Sequence, residues 1–318
     1  MATGTSDAPD TEIPLTLDDL RKWSRVEPSL AVVGSPIGHS LSPRMHNAAL
    51  AELSRTLPQF THWRYFKFEI DPADLPEALR LFHQKRFIGL NLTLPHKVIA
   101  CPLVAGLSSL AQAIGAVNTL IWHDVGYYGH NTDGPGFARG LREDLDSPMQ
   151  DANIVLLGAG GAARAIATIA LKEGCRSLWI GNRNPQRLAD LVAQIAMHLP
   201  EPAQRIRTSP LAKPPADLPA DCVLVNATQL GLHATDSTPF PPDRLRPEMV
   251  AYDIIYEPAE TAFLRAARNT DILAANGFSM LYWQGALALE LWTHTRAPVH
   301  AMAAALRSAQ KNNPAPDA

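Results

Sequence analysis

The sequence predicts an α/β protein of two domains, and three observations lead there. Its 318 residues exceed an ordinary single domain, and 46% of them are apolar, enough to fill more than one core. Short apolar runs alternate with helix-length stretches, the order that builds sheets covered by helices. Midway, a glycine-rich turn at residues 158–163 joins an apolar run to a helical stretch.

The elements follow in order. Residues 1–14 are small, polar and acidic, and are expected to be disordered. Residues 15–23 form a short amphipathic helix with Thr16 as N-cap. Residues 30–33 are an apolar run ending in Gly-Ser-Pro, which suits a buried strand and its loop. Ser42 and Pro43 then open a helix through about Leu53, with serine capping and proline in the first turn. Residues 63–70 alternate as a strand, 74–83 are helical, and 88–92 form a strand stopped by Thr-Leu-Pro. Residues 119–122 are a strand, and Gly126-Tyr-Tyr-Gly129 reads as a turn. A second unit begins near Asp151. It holds a strand at 154–157, the glycine turn, a helix to about Lys172, a strand at 178–180 and a helix at 185–199. A Pro-rich connection at 210–219 leads to strands at 223–225 and 250–255. Helices at 278–293 and 299–310 close the chain, and a tail from Asn312 reads as frayed.

Composition narrows the function classes. The net charge is −3 with no basic run, which gives no grip on nucleic acid and favours a small-molecule partner. The longest apolar candidate, residues 154–171, is interrupted by Arg164, so no membrane span is expected. The N-terminus does not read as a signal peptide. Cys101, Cys175 and Cys222 are far apart with no CxxC, which reads as reduced core thiols of a cytoplasmic protein. The histidines show no HExxH or other close ligand spacing, so no metal is expected.

Gly158, Gly160 and Ala163 make a G-x-G-x-x-A pattern directly between strand and helix, the context in which this pattern binds a dinucleotide. The turn, spanning Gly158, Ala159, Gly160, Gly161 and Ala162, lets the backbone approach a pyrophosphate. The helix N-terminus then offers unpaired N–H groups to that anion. The next strand ends in Asn182, Arg183 and Asn184, with Arg187 one turn on. An NAD site carries an acid at this strand end for the ribose 2′-hydroxyl. Here the acid is missing and two arginines stand nearby, whose planar forks match a phosphate. The cofactor read from this pattern is NADP, in a Rossmann-like domain.

Four polar clusters mark the first domain: residues 39–43, 91–97, 115–119 and 131–134. Each follows or joins a strand, and such junctions gather at one sheet edge, where crevices form in α/β folds. Their hydroxyls, amides, single ammonium and single carboxylate suit a small, polyhydroxylated, anionic ligand.

These clusters, written Gly-Ser-Pro-Ile-Gly-His-Ser-Leu-Ser-Pro, Asn-Leu-Thr-Leu-Pro-His-Lys, Gly-Ala-Val-Asn-Thr and Asn-Thr-Asp-Gly, resemble the shikimate dehydrogenase family. So do the glycine turn, Asn182-Arg183, Asn226-Ala-Thr228 with Gly231, Asp253-Ile-Ile-Tyr256 with Pro258 and Thr261, and Gln284-Gly-Ala286. The similarity runs from about Leu30 to Trp292, in the family's order. It implies NADPH-dependent, reversible reduction of 3-dehydroshikimate to shikimate, in the pathway to chorismate and the aromatic amino acids. It implies a substrate-binding domain over residues 30–133, an NADP domain over 134–278, and C-terminal helices (279–312) that return to the first domain. Ser40 and Ser42 match the family's carboxylate-binding serines. Asn91, Thr93, Asn118 and Gln284 match its ring-hydroxyl contacts, and Tyr256 a tyrosine near the substrate carboxylate. Lys97 and Asp133 match its catalytic dyad. Asn226, Thr228 and Gly277 match positions along the cofactor cleft. Leu92, Asn184 and Leu232 depart from the usual valine, threonine and methionine, and none removes a catalytic group.

The chemistry also follows from the residues. Reducing a ketone by hydride places negative charge on its oxygen, where a cation or proton donor lowers the barrier. Lys97 is the lysine of the clusters, and Asp133 could hold its ammonium. Asp133 also reads as the N-cap of a helix over 134–141. His39 and His96 read as loop-shaping, His46 and Asn47 as packing. The rival readings are a quinate/shikimate dehydrogenase with broader substrate or cofactor use, and a non-catalytic NADP-binding regulatory protein. A monomer or homodimer is expected.

Overall fold

A computed structural model describes residues 11–312. Most of the stretch read as disordered, and the tail beyond Asn312, lie outside the described residues. The chain divides into two compact units.

The first unit takes the described residues up to Leu107, then Val117–His130 and the residues from Ala288 on. Its strands are β1 (Ser29–Gly34), β2 (Arg64–Glu69), β3 (Gly89–Leu92), β4 (Gly106–Leu107), β5 (Thr119–His123) and β6 (Gly126–His130). They form one sheet in the order β2-β1-β3-β5-β6-β4. β1 runs parallel to β2 and β3, while β5 runs antiparallel to β3 and β6. The expected turn at Gly126–Gly129 is instead most of a strand. The chain reverses at Asp124 and Val125, and Tyr127 pairs with Trp122 across the hairpin. Aromatic residues suit a pleated surface, and burial of Tyr127 overrides the flanking glycines.

Four helices of this unit precede β4: α1 (Leu17–Arg21), α2 (Ser42–Ser54), α3 (Leu75–Gln84) and α4 (His96–Ile99). Thr16 caps α1 as expected, in a reciprocal capping box with Asp19. Leu15 adds a parallel bridge to Phe68 at the β2 edge. The serine cap expected for α2 is absent. Its N-cap position is Leu41, with no side-chain bond, and Ser42 is the first helical residue. The last helix, Val299–Asn312, packs on α2.

Trp23, Phe66, Phe68, Phe82 and Phe87 fill the core between sheet and α3, largely edge to face. Trp292 closes the other face. Its Nε1 donates to Leu120 O at 2.9 Å, and it lies so close that a Cβ on Gly89 would sit 2.0 Å from the same nitrogen. Gly89→Ala is therefore expected to expel the indole, break that bond and lower stability by about 2–3 kcal/mol. The denaturant midpoint, at unchanged m-value, measures it.

The second unit comprises Ser108–Ala116 and Asn131–Leu287. Its strands are β7 (Asn153–Leu157), β8 (Ser177–Asn182), β9 (Ile206–Pro210), β10 (Cys222–Asn226), β11 (Val250–Asp253) and β12 (Leu273–Asn276). All pair in parallel, in the order β9-β8-β7-β10-β11-β12. This is the doubly wound order of dinucleotide-binding sheets, with its switch point between β7 and β10. The helices are α5 (Ser109–Ile114), α6 (Asp133–Leu145), α7 (Gly161–Lys172), α8 (Pro185–His198), α9 (Pro200–Ala203), α10 (Ala262–Arg268) and α11 (Phe278–Thr293). Residues 108–116, read from sequence as part of the first domain, cluster here. Gln194 of α8 donates to Gln112 O at 2.6 Å, which ties α5 to this unit. α11 begins here because α6 turns glycines toward it. A Cβ on Gly136 would lie 2.7 Å from Gln284 N.

Candidate functional site

In the first sheet the parallel order reverses beside β1, so the carboxyl ends of β1 and β3 flank a crevice position. The two loops leaving there are bonded together. Thr93 N donates to Val33 O at 3.0 Å, and Ser35 N to Leu94 O at 3.1 Å. β5 starts antiparallel at the same place, with Leu92 N donating to Asn118 O at 2.9 Å. Three of the four polar clusters thus meet at one edge of this sheet.

Ser40 is half-buried, and its hydroxyl accepts from Ser42 N at 3.4 Å. Ser42 is buried beside Tyr65. Asn91 and Asn118 are buried, and Thr93 and Lys97 half-buried. Asn118 Oδ1 accepts from Thr119 Oγ1 at 3.0 Å. Lys97 lies in α4, and its carbonyl accepts from Val117 N at 2.8 Å, fixing the start of the Asn118 segment. His96 shapes its loop, as expected. It is buried, its Nε2 meets Ile70 O at 2.9 Å, and burial pushes its pKa down. His39 is exposed. One lysine escaped the sequence reading. Lys67 on β2 is buried, and its ammonium donates to Gly38 O at 2.8 Å, supporting the serine loop from below. The signal available was a lysine set between two phenylalanines on a strand.

In the second unit, Asp133 is buried at the first position of α6, not at its cap. The capping oxygen is Asn131 Oδ1, which accepts from Asp133 N at 3.1 Å and Gly134 N at 3.4 Å. The helix N-terminus favours the Asp133 carboxylate by charge. Gln284 is half-buried on α11, with Nε2 donating to Leu281 O at 2.8 Å. Tyr256 is half-buried after β11, and desolvation pushes its phenol up to about 12, which keeps it a neutral donor.

At the switch point the glycine turn follows β7. Gly158 has φ +120°, and a Cβ there would lie 2.6 Å from Ala227 O. A side chain is therefore excluded by both backbone and space. Gly160 differs. It is the exposed N-cap of α7, and a Cβ there would meet nothing within 4 Å. Ala159 and Gly161 are buried, Ala162 half-buried. No side chain caps α7, so its first N–H groups and the open space at Gly160 fit a pyrophosphate.

β8 ends at Asn182, whose Nδ2 donates to Asn184 O at 3.1 Å. Asn184 is the N-cap of α8, its Oδ1 accepting from Arg187 N at 3.1 Å. Arg183 and Arg187 are exposed, and among the described residues neither guanidinium is in an ion pair. That cationic strand end fits a 2′-phosphate and lacks the acid an NAD ribose would want.

Asn226, expected along the cofactor cleft, ends β10 beside the end of β7, and its amide is bonded within the protein. It is fully buried, donates to Leu230 O and Asp253 Oδ1 at 3.0 Å each, and accepts from Thr228 N at 3.0 Å and Thr228 Oγ1 at 2.7 Å. It shapes the loop after β10, and Thr228 lies in that loop. Gly277 is buried before α11, donating to Ile255 O at 3.1 Å.

Asp253 anchors the same network. It also accepts from Thr261 Oγ1 at 2.7 Å and Ile255 N at 3.0 Å, yet burial pushes its carboxyl up to about 6. A folded pKa above the unfolded 3.8 means that the folded chain holds this proton more tightly. The contribution to stability is full below the unfolded pKa and is lost as pH rises to about 6. Asp253→Asn is expected to remove that slope. The stability of the parent relative to the variant should fall by about 1–3 kcal/mol between these limits, measurable by denaturation across the range.

Cys175 and Cys222 are buried thiols, pushed up to about 11 and 12 by desolvation. Cys101, expected in a core, is only half-buried. Among the described residues no helix is long and apolar enough to cross a membrane, and no group of His, Cys, Asp or Glu is gathered to hold a metal.

Sheet order, glycine turn and cationic strand end define a dinucleotide-binding α/β protein, with a separate unit that gathers polar side chains at one sheet edge. The family described as shikimate dehydrogenase substrate binding domain matches residues 32–120, shikimate/quinate 5-dehydrogenase matches 141–211, and the shikimate 5′-dehydrogenase C-terminal domain matches 277–307. The chain is 40% identical over 283 residues to the shikimate dehydrogenase (NADP(+)) of Moorella thermoacetica, covering 88% of this chain and 92% of that protein. The chain belongs to the shikimate dehydrogenase family. Among solved structures, shikimate 5-dehydrogenase from Thermus thermophilus, in complex with NADP(H) and shikimate, superposes with TM-score 0.75 at 37% identity, covering 89% of this chain and 99% of that one. Quinate dehydrogenase from Corynebacterium glutamicum in complex with NAD superposes with TM-score 0.77 at 27% identity, with the same coverage.

Proposed function

We propose that this chain is an NADP-dependent shikimate dehydrogenase, interconverting 3-dehydroshikimate and shikimate on the route to chorismate and the aromatic amino acids. The observation that supports it most directly is the sheet edge bearing Ser40, Ser42, Asn91, Thr93, Lys97 and Asn118, on a chain 40% identical to an enzyme of that name. When bound, NADP(H) supplies or receives the hydride. The protein's part is binding, orientation and proton handling. Ser40 and Ser42 donate to the substrate carboxylate, with Tyr256 as a further donor. Asn91, Thr93, Asn118 and Gln284 orient the ring hydroxyls. Lys97 meets the oxygen that gains charge on reduction, and gives it a proton or stabilises it. Asp133 is the carboxylate partner of Lys97 in the reaction. The glycine turn takes the pyrophosphate, and Arg183 and Arg187 the 2′-phosphate, with Asn182 and Asn184 shaping that corner.

The cationic end of β8 disfavours the NAD-using quinate reading. No nucleic acid partner is proposed, the compartment is the cytoplasm, and the acting form is a monomer or homodimer. Purified protein is expected to form NADPH from shikimate and NADP⁺, and far less reduced cofactor from quinate and NAD⁺. Better turnover of quinate would transfer the chain to the rival enzyme class. Folded protein that binds NADP⁺ but turns over neither would leave the non-catalytic reading.

A further inference from the structure

Two α2 residues read from sequence as packing, His46 and Asn47, hold a third that the sequence did not single out. Asn47 grips the backbone of Tyr65, donating from Nδ2 to Tyr65 O and accepting at Oδ1 from Tyr65 N, each at 2.9 Å. The His46 ring stacks on the Tyr65 ring, with centroids 4.2 Å apart and planes 10° from parallel. Both rings are fully buried, and desolvation takes His46 down to about 3, so the stacked ring is neutral at any working pH. The phenol is thus fixed at backbone and ring.

Its hydroxyl donates to Asn91 Oδ1 at 2.7 Å, with the Ser42 side chain beside it. Asn91 then donates from Nδ2 to Asn118 O at 3.0 Å and Thr119 Oγ1 at 3.1 Å. A carboxamide has two N–H donors and two lone pairs. Both donors and one lone pair are engaged within the protein. Turning the amide over would set its NH₂ against the Tyr65 hydroxyl and its oxygen against the Asn118 carbonyl, so the orientation is fixed.

We propose that Tyr65 is a positioning residue for substrate binding, its hydroxyl fixing the Asn91 carboxamide of β3 beside Ser42 of α2 and leaving the second Asn91 Oδ1 lone pair to accept a substrate hydroxyl. This rests on the reading of Ser42 and Asn91 as substrate contacts. Tyr65 itself touches no reacting atom. It acts through Asn91, whose carboxamide it orients, so its loss affects substrate affinity and not the chemical step.

Tyr65→Phe in the full chain deletes the hydroxyl and keeps the stack and the backbone grip. The shikimate KM is expected to rise about five- to tenfold, with kcat and the NADP⁺ KM within about twofold of the parent. Ser42→Ala and Asn91→Ala are measured beside it, alone and combined with Tyr65→Phe. Because Tyr65 acts through Asn91, adding its substitution to Asn91→Ala should raise KM no further. Full additivity overturns the proposal, as does a Tyr65→Phe variant that changes only the melting temperature while both alanine variants raise KM. If neither alanine variant moves KM, the substrate-contact reading itself has failed, a different result. His46→Leu removes the stacked ring and keeps the hydroxyl. It should also raise the shikimate KM selectively, and it provides the decisive measurement if Tyr65→Phe does not fold. An unchanged KM in folded His46→Leu then overturns the proposal.

Discussion

Lys97→Met is expected to lower kcat for shikimate oxidation by about 10²–10⁴-fold, the usual worth of a positioned proton donor or acceptor. Methionine keeps an unbranched, apolar chain out to the ε position, with sulfur for one methylene, and removes the ammonium. The Lys97 carbonyl accepts from Val117 N at 2.8 Å, a tie to the neighbouring segment that the substitution leaves in place. The short helix α4 is further held by His96, whose Nε2 meets Ile70 O at 2.9 Å. An interaction made mainly in the transition state affects kcat and kcat/KM together and leaves KM nearly alone. Steady-state initial rates, followed by NADPH absorbance, separate the two. An equal loss of binding and rate would instead mean a misfolded loop, and a change under threefold would remove Lys97 from the chemistry.

Arg183→Ala combined with Arg187→Ala is expected to raise the NADP⁺ KM by about 10–100-fold, the equivalent of one or two hydrogen bonds to a charged group. The NAD⁺ KM should stay within about threefold, since that cofactor has no 2′-phosphate to lose. Both guanidiniums are exposed, so melting temperature should not move. Asn184 must be left in place, because its Oδ1 caps α8. The ratio of the two KM values is the quantity to report, since it cancels any general damage. Parallel rises for both cofactors would place the arginines outside the 2′-phosphate corner.

How far the sequence could be read depended on whether a feature is local. The strand, glycine turn and helix at 153–172 were plain, because a strand buried on both faces is a continuous apolar run and the turn has its own residue signature. β4, β9 and β12 lie at or near sheet edges and are short or half-exposed, so they left no periodicity to find. The glycines at 126 and 129 masked β6, whose Tyr127 is held by a bond to Phe87 O at 2.9 Å, a partner distant in sequence. The same distinction holds at the site. Ser40, Ser42, Asn91, Lys97 and Asp133 stood in recognisable strings. Tyr65, Lys67 and the anchoring role of Asp253 did not, because each matters through a partner on another element. A tyrosine on an apolar strand looks like core until Asn91 is found beneath its hydroxyl.

The interleaving of the two units along the chain sets an order of synthesis against an order of completion. All six strands of the first sheet have been made by His130. The indole that fills the space beside Gly89 arrives only with Trp292, and the helix that covers α2 only with residues 299–312. The second unit, though made later, has its last residue at Leu287 within the described chain. The strands of both sheets are therefore made before the first unit receives Trp292 and the helix that packs on α2. Truncation after about Leu287 would leave all twelve strands in place but strip Trp292 from beside Gly89 and the last helix from α2, baring apolar surface in the first unit, a natural target for chaperones and proteases.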